Sequence, residues 1–328
     1  MPDISESPIF IIGRQHSGNT MLATVLGRSP DVFCMKGEGA FFEHWTQAEQ
    51  LEPRRRAQRV SDLIRRSGLA SDASDDLQTV LLKEVKRADL AVSVQALYAR
   101  GMEHLAAQHG ATRWAQKATS YVFHVDAILD AFPNARLVFL ARNPLDLAAY
   151  KMRRWACSAG RYRLLRVVWG WNRGVRLARE HQRAHPERFL LVRYEDLARQ
   201  PRDMLTRIFD FAGLTFDPAY LQVDHVNRSE TPYNDASRQC GINASRVFYY
   251  DRVLSVTEEQ FVRLLARRSL LDTLYPDLPP ARARSFVRHL PAMALLLASG
   301  GVHLAKDHLQ QLRSRPRHVV RRVWERLA

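Results

Sequence analysis

The chain has 328 residues, 46% of them hydrophobic and 25% charged. That length and balance supply a packed core without staples and exclude a wholly disordered chain. Lys and Arg (49) outnumber Asp and Glu (34), and the resulting net charge of +15 points to anionic ligands or surfaces. Cys34, Cys157 and Cys240 cannot all pair and lack CxxC spacing, so a reduced compartment fits best and no metal-binding cysteine site is expected. The opening MPDISESPIF has neither a basic start nor a long apolar stretch, so a secretory leader is not expected.

In chain order, Pro8–Gly13 is a short β-branched apolar run ending in Gly, the pattern of a buried strand. A helical pattern follows from Ser17 through Met21, Leu22, Val25 and Leu26, and Ser29-Pro30 stops it. Residues 52–76 are polar and charged, suited to surface helix and loop, and 81–108 read as helix with Gly110 as the stop. Arg136–Ala141 is a second buried strand, leading through Asn143-Pro144 into a helix that reaches about Arg154. Phe189–Arg193 is a third strand, followed by a helix from Pro201 to Ala212 that Gly213 can cap. Strands alternating with helices predict an α/β fold with a central, mostly parallel sheet. The compact domain is placed at 5–280, with Pro276, Pro279 and Pro280 marking its end and 281–328 as a separate basic segment.

The main chemical signal is strand, Gly13-Arg-Gln-His-Ser-Gly18-Asn19-Thr20, helix. Two glycines five apart let the backbone curl so that amide N–H groups face inward, and the helix start adds its positive dipole end. The glycine spacing and the Thr match the nucleotide-triphosphate loop GxxxxGK[ST], but Asn19 stands at the lysine position. Binding of a β/γ-phosphate pair with magnesium is therefore disfavoured. A plain strand-to-helix turn is the bland alternative for the glycines.

The string PIFIIGRQHSGNTMLATVLGRSPDV resembles the 5′-phosphate loop of sulfotransferases that use 3′-phosphoadenosine 5′-phosphosulfate (PAPS). ARLVFLARNPLDLAAY resembles their 3′-phosphate segment, and FLLVRYEDLARQPRDMLTRIFDFAGL their Tyr-Glu-Asp-Leu strand and helix. The likeness covers about residues 7–255 and looks closest to the tyrosylprotein and Golgi-type carbohydrate branch. It implies a P-loop-like three-layer fold, PAPS as donor, 3′-phosphoadenosine 5′-phosphate (PAP) as product, and no metal.

The resemblance also implies roles. Ser17, Gly18, Asn19 and Thr20 would hold the 5′-phosphosulfate, with His16 where the family has Lys or Arg and Arg14 as a nearby permanent cation. Arg142 would clamp the 3′-phosphate. Tyr150 takes the place of the partner Ser, Ser245 and Arg246 fall near a basic nucleotide-binding pair, and Tyr194 matches the Tyr that meets adenine. Glu38 is the candidate base for the acceptor hydroxyl, with Glu43 and His44 as substitutes. Lys117, in a segment like the family's Lys-Thr-Pro, would face the transferring sulfuryl group. For each of these side chains a solvated loop charge, a core aromatic or an ordinary ion pair is the competing explanation.

Residues 281–328 hold ten Arg and Lys against Asp307 and Glu325. The apolar run 291–305 is short of the roughly 20 residues that span a bilayer, and the basic stretch after it carries Val319, Val320, Val323, Trp324 and Leu327. That combination predicts contact with an anionic membrane surface, and a core helix with a solvated tail and a dimer contact are the other readings. The expected acceptor is a small molecule or a glycolipid hydroxyl, the expected location cytoplasmic with peripheral membrane contact, and nucleic acid is not an expected partner. A magnesium-dependent small-molecule kinase and a non-catalytic nucleotide-binding membrane adaptor are the alternatives.

Overall fold

The computed structural model describes residues 7–68, 76–88, 92–154, 164–223, 241–242, 244–283 and 285–314. Cys157 and Cys240 lie outside them. The chain divides into two compact units, Met1–Arg142 with Arg176–Ala244 and Asn143–Val175 with Ser245–Ala328.

The first unit opens with β1 (Ile9–Gly13), α1 (Asn19–Leu26), β2 (Val32–Glu38), α2 (Phe41–Glu49) and α3 (Pro53–Ser67). It continues with α4 (Leu77–Arg87), α5 (Val94–Gln108), β3 (Arg113–Lys117), α6 (Val125–Ala131) and β4 (Arg136–Ala141). After α7 (Pro144–Arg154), a second-unit helix, and α8 (Leu164–Ala184), which runs from the second unit into the first, come β5 (Phe189–Arg193), α9 (Tyr194–Arg199) and α10 (Pro201–Ala212). The five strands form one sheet in the order β2-β3-β1-β4-β5, every neighbouring pair parallel. β1 sits at the centre, with Ile11 opposite Lys117 on one side and Val138 on the other.

Helices cover both faces, and the alternation along β1 shows why. Ile9 and Ile11 join an aliphatic core with Leu22, Val25 and Leu26 of α1 and Leu205, Ile208 and Phe209 of α10. Phe10 points the other way, into an aromatic layer with Phe42 of α2 (ring centres 6.1 Å apart) and Trp114 of β3 (5.4 Å). Tyr98 of α5 stacks on Phe41 in that layer at 4.0 Å. A strand buried on both faces reads as an unbroken apolar run, as IFIIG and RLVFLA do.

The expected helix over 81–108 is instead two, α4 and α5. Ser93 caps α5, its hydroxyl accepting from Ala96 N at 3.2 Å, and a capping Ser needs an extended backbone that interrupts the helix. At the end of α10, Gly213 takes the left-handed conformation (φ 67°) expected of it.

In the second unit, α7 leads a set with a short 3₁₀ turn at Tyr249–Arg252, α11 (Val256–Leu265), α12 (Arg268–Leu274) and α13 (Leu290–Ser314). Ser255 and Glu258 form a capping box at the start of α11. Asp146, fully buried on α7, accepts from Asn143 Nδ2 (2.8 Å), Phe248 N (2.9 Å) and Tyr250 N (3.1 Å), fixing the segment 248–250 on that helix. Glu259, equally buried, takes Nε of Arg263 and of Arg282.

Candidate active site

The site residues of the first unit stand at the carboxyl ends of the strands, where open parallel sheets hold their ligands. Gly13 ends β1, Glu38 ends β2, Lys117 ends β3, Arg142 follows β4 and Tyr194 follows β5. Five parallel strands thus deliver one backbone turn, one carboxylate, two cations and one aromatic ring to a single edge.

The loop after β1 is built by its glycines. A Cβ on Gly13 (φ 150°) would lie 2.5 Å from the Leu140 carbonyl oxygen. His16 also has positive φ (72°), and Ser17 N closes a turn on Arg14 O at 3.1 Å. Gly18, at φ 97°, is the N-cap of α1 and no side chain caps that helix, so its first-turn amides face the loop. Asn19 does not point outward as the triphosphate-loop lysine would. Its Nδ2 donates to Gly13 O (2.9 Å) and Arg14 O (3.3 Å), bracing the loop from within. Ser17 Oγ is buried with no hydrogen-bond partner among the described residues.

Lys117 is 9% exposed, and its Nζ donates to Thr20 Oγ1 at 3.3 Å while lying 3.9 Å from Glu38 Oε2. A bulge between Met35 and Glu38 brings Glu38 into register with Lys117. Thr119 N donates to Glu38 Oε1, and the carboxylate stays 46% exposed. Beside it Tyr121 accepts from Phe42 N at 3.3 Å, and burial pushes its phenol far above the ordinary range, so it stays protonated.

Arg142 is buried. Its Nη1 donates to the His16 carbonyl at 2.8 Å, and its guanidinium carbon lies 4.3 Å from the centre of the Tyr194 ring. A Cβ on Gly18 would meet Tyr194 Cδ2 at 2.9 Å, so that ring lies close beneath the loop. Arg14 and His16 are half-buried on the same loop.

The structure therefore brings together His16, Ser17, Gly18, Asn19, Thr20, Glu38, Lys117, Arg142 and Tyr194, with Arg14 beside them. Tyr150 on α7 is half-buried in the second unit, where Ser245 is exposed and the Arg246 guanidinium lies 5.7 Å from the centre of the Tyr249 ring. Thr119 and Asp146 were not singled out from the sequence. Asp146 carried a signal, since an Asp two residues after Asn-Pro falls in the first turn of a helix. Thr119 offers only a backbone amide and carried none.

A profile described as "Sulfotransferase family" matches residues 8–218. The chain belongs to the sulfotransferase family. Membership of that family makes it a sulfuryl-transferring enzyme and sets the kinase alternative aside. Among solved structures, the sulfotransferase domain from the Synechococcus PCC 7002 olefin synthase is 23% identical, with a TM-score of 0.52 over 83% of this chain and 96% of that one. The sulfotransferase domain from the curacin biosynthetic pathway is 20% identical, with a TM-score of 0.47 over 80% and 98%. Mouse sulfotransferase SULT7A1, solved with PAP, is 14% identical, with a TM-score of 0.42 over 79% and 83%. No curated protein matches the sequence.

The residues of this sulfotransferase fit its donor. An uncapped helix start, the orphaned Ser17 hydroxyl and the buried cations Lys117 and Arg142 form a cradle for an anion of more than one charge.

Proposed function

We propose that this sulfotransferase moves the sulfuryl group of PAPS to the hydroxyl of a small acceptor by in-line displacement, with Glu38 as the base. The observation that carries the reading is the meeting of Glu38 and Lys117 at 3.9 Å beside Thr20 and the start of α1.

PAPS, when bound, supplies an activated sulfuryl group on a good phosphate leaving group. Glu38 takes the proton of the acceptor hydroxyl as its oxygen forms the new S–O bond. Thr119 N holds one carboxylate oxygen and thereby aims the other, and the exposure of Glu38 leaves room for an acceptor to approach. Breaking the old S–O bond leaves negative charge on the 5′-phosphate, which the amides of Gly18, Asn19 and Thr20 and the side chains of His16 and Lys117 stabilise. Arg14 adds a permanent charge at the rim of the loop. Arg142 braces the loop through His16 O and is assigned to the 3′-phosphate, and the Tyr194 ring is assigned to the adenine. Tyr150, Ser245 and Arg246 are kept as nucleotide contacts on the resemblance of their segments.

The sulfuryl group carries less negative charge than a terminal phosphoryl group, so fixed Lys, Arg and His serve where a phosphoryl-transfer site uses magnesium. Asn19, turned inward onto Gly13 and Arg14, is consistent with that arrangement.

The test is Glu38→Gln, assayed by transfer of labelled sulfate from PAPS to a panel of small hydroxyl acceptors, beside calorimetric titration with PAP. Turnover is expected to fall about 10²–10⁴-fold, the usual range for loss of a general base, with PAP affinity within about two-fold of wild type. Unchanged turnover would remove Glu38 from the mechanism. Preference of the wild-type protein for ATP with magnesium over PAP would overturn the donor assignment.

A further inference from the structure

Helix α13 has two faces that do different things. Met293, Leu296 and Gly300 are buried and form the inner stripe. Leu290, Ala294, Leu295, Leu297, Ala298, Gly301, Val302, Ala305 and Leu309 are exposed, Leu295 by 66%, Leu309 by 57% and Val302 by 53%. At 100° per residue these exposed positions span an arc of about 160° on the side away from Leu296. Phe286 and Val287, just before the helix, are exposed as well. No charged side chain occurs from Leu290 to Ala305. A contiguous exposed apolar face of this kind marks an interaction surface.

Charge decides what covers it. Arg288 precedes the helix, Lys306 and Arg313 lie in its second half, and Arg315, Arg317, Arg321, Arg322 and Arg326 follow in the sequence, against Asp307 and Glu325. Arg282 does not belong to this set, because Glu259 and the Leu254 carbonyl already hold it. Apolar surface flanked by cations matches an anionic bilayer, whose headgroups take the charge while the acyl boundary takes the leucines. A second copy of the helix fits less well. Leu295, Ala298, Val302, Ala305 and Leu309 do follow a heptad seam, but a two-stranded seam is narrow and flanked by charged pairs. Here Leu290, Ala294, Leu297 and Gly301 widen the apolar face on one flank with no charge. Among the described residues, no helix is long and apolar enough to cross a membrane.

We infer that α13, with the basic chain that follows it, docks this enzyme on an anionic membrane surface by laying its outer apolar face in the interface. The inference is independent of which acceptor the active site takes.

The experiment is sedimentation of the full-length protein with vesicles of phosphatidylcholine alone and of phosphatidylcholine with about 30% phosphatidylglycerol. Partitioning is expected to be at least about ten-fold stronger on the anionic vesicles and to weaken as salt rises. Leu295→Asp with Val302→Asp is expected to abolish it. Both positions face outward, and PAP titration of the double variant checks that its active site is intact. The triple variant Arg313→Gln, Arg315→Gln, Arg317→Gln is expected to lose most of the preference for anionic lipid, since each basic residue near such a surface strengthens partitioning about five-fold. Equal binding by the aspartate variant and the wild type would overturn the inference. So would absence of vesicle binding, and a dimer in sedimentation equilibrium that only the aspartate variant dissolves would then assign the face to a second copy.

Discussion

Asn19 Nδ2 donates to the Gly13 carbonyl oxygen at 2.9 Å, so the first residue of α1 is tied to the last residue of β1 across the whole phosphate loop. The bond explains how a loop without the usual lysine keeps its shape. Asn19→Ala leaves the Gly13 and Arg14 carbonyls without this donor and is expected to destabilise the fold by about 1–3 kcal/mol. PAP affinity should fall with it, because the amides of the loop lose their fixed aim. Urea denaturation beside PAP calorimetry checks both. Asn19→Lys is expected to show the same loss with no gain of ATP binding, since the brace and not the missing charge is what the position supplies.

Lys117 has Thr20 Oγ1 at 3.3 Å and Glu38 Oε2 at 3.9 Å, and it is nearly buried. A cation so placed acts where charge develops, and its removal should be felt in turnover more than in binding. Lys117→Ala is expected to lower kcat about 10²–10³-fold, the range for loss of one electrostatic stabiliser, with a far smaller change in PAP affinity. Lys117→Arg should recover part of the rate, because charge is kept but the fork does not fit a site shaped for a single ammonium. Steady-state kinetics of the two variants, with KM and kcat resolved, separates this role from simple binding.

Gly18 and Tyr194 touch in a way that only a glycine permits. The φ of 97° costs any other residue about 1–3 kcal/mol, and a Cβ would press on Tyr194 Cδ2 at 2.9 Å. Gly18→Ala is expected to lower the melting temperature and to displace the ring that lies against Arg142. Its PAP affinity should fall further than that of Tyr194→Phe, which keeps the ring in place. Equal affinities for the two variants would mean that the ring's position under the loop does not matter.

The strands that the sequence announces are those buried on both faces by apolar residues, β1, β4 and β5. Their β-branched and aromatic runs leave no other reading, and the loops that follow them carry Gly13, Arg142 and Tyr194. The two strands on the other side of β1, β3 and β2, were hidden by polar letters. β2 runs into Lys36, Gly37 and Glu38, and β3 is RWAQK, with a buried Arg113 whose Nε and Nη1 donate to the carbonyls of Ser7 (2.9 Å) and Ala212 (2.7 Å). Burial, with the charge of Arg136 nearby, pulls the pKa of that guanidinium down to about 10, the mark of a cation held by tertiary structure that no local pattern announces. Glu38 and Lys117 could be named as candidates, but their approach to 3.9 Å depends on the bulge in β2 and on strand order. Both are properties of the assembled sheet. The inward turn of Asn19 is of the same kind, since its side chain has an acceptor only once the loop has curled.

Asp146 gathers the second unit around itself. Its carboxylate accepts from Asn143 Nδ2, Phe248 N and Tyr250 N, and Tyr249 OH donates to its carbonyl at 3.2 Å. Asp146→Ala removes the carboxylate that accepts from two backbone N–H groups and one amide and is expected to cost about 3 kcal/mol or more. Asp146→Asn keeps the shape but offers one acceptor where two were used, so its loss should be smaller. On the proposal that Ser245 and Arg246 contact the nucleotide, PAP binding is expected to weaken in Asp146→Ala at temperatures where the variant is still folded. A variant that is less stable but binds PAP like the wild type would release Ser245 and Arg246 from that role.

His181 sits on α8 facing Asp126 of α6, with Nδ1 3.8 Å from Oδ1. Burial lowers its pKa below the ordinary 6.5, His185 pushes the same way, and Asp126, Glu180 and a hydrogen bond with the Val122 backbone oppose the shift without cancelling it. The folded state therefore keeps this imidazole neutral at a pH where the unfolded chain has begun to protonate it. More protons on the unfolded side mean that stability rises with pH across this window. The contribution is complete above about pH 6.5 and is lost as the pH falls from there toward the lower folded value. Urea midpoints measured between pH 8 and pH 5 should decline on the acid side for the wild type, and His181→Gln should decline less. All other groups are common to both proteins, so the difference between the two curves reports the imidazole together with its pairing to Asp126. Curves that fall in parallel would show that His181 is as easily protonated in the fold as in water.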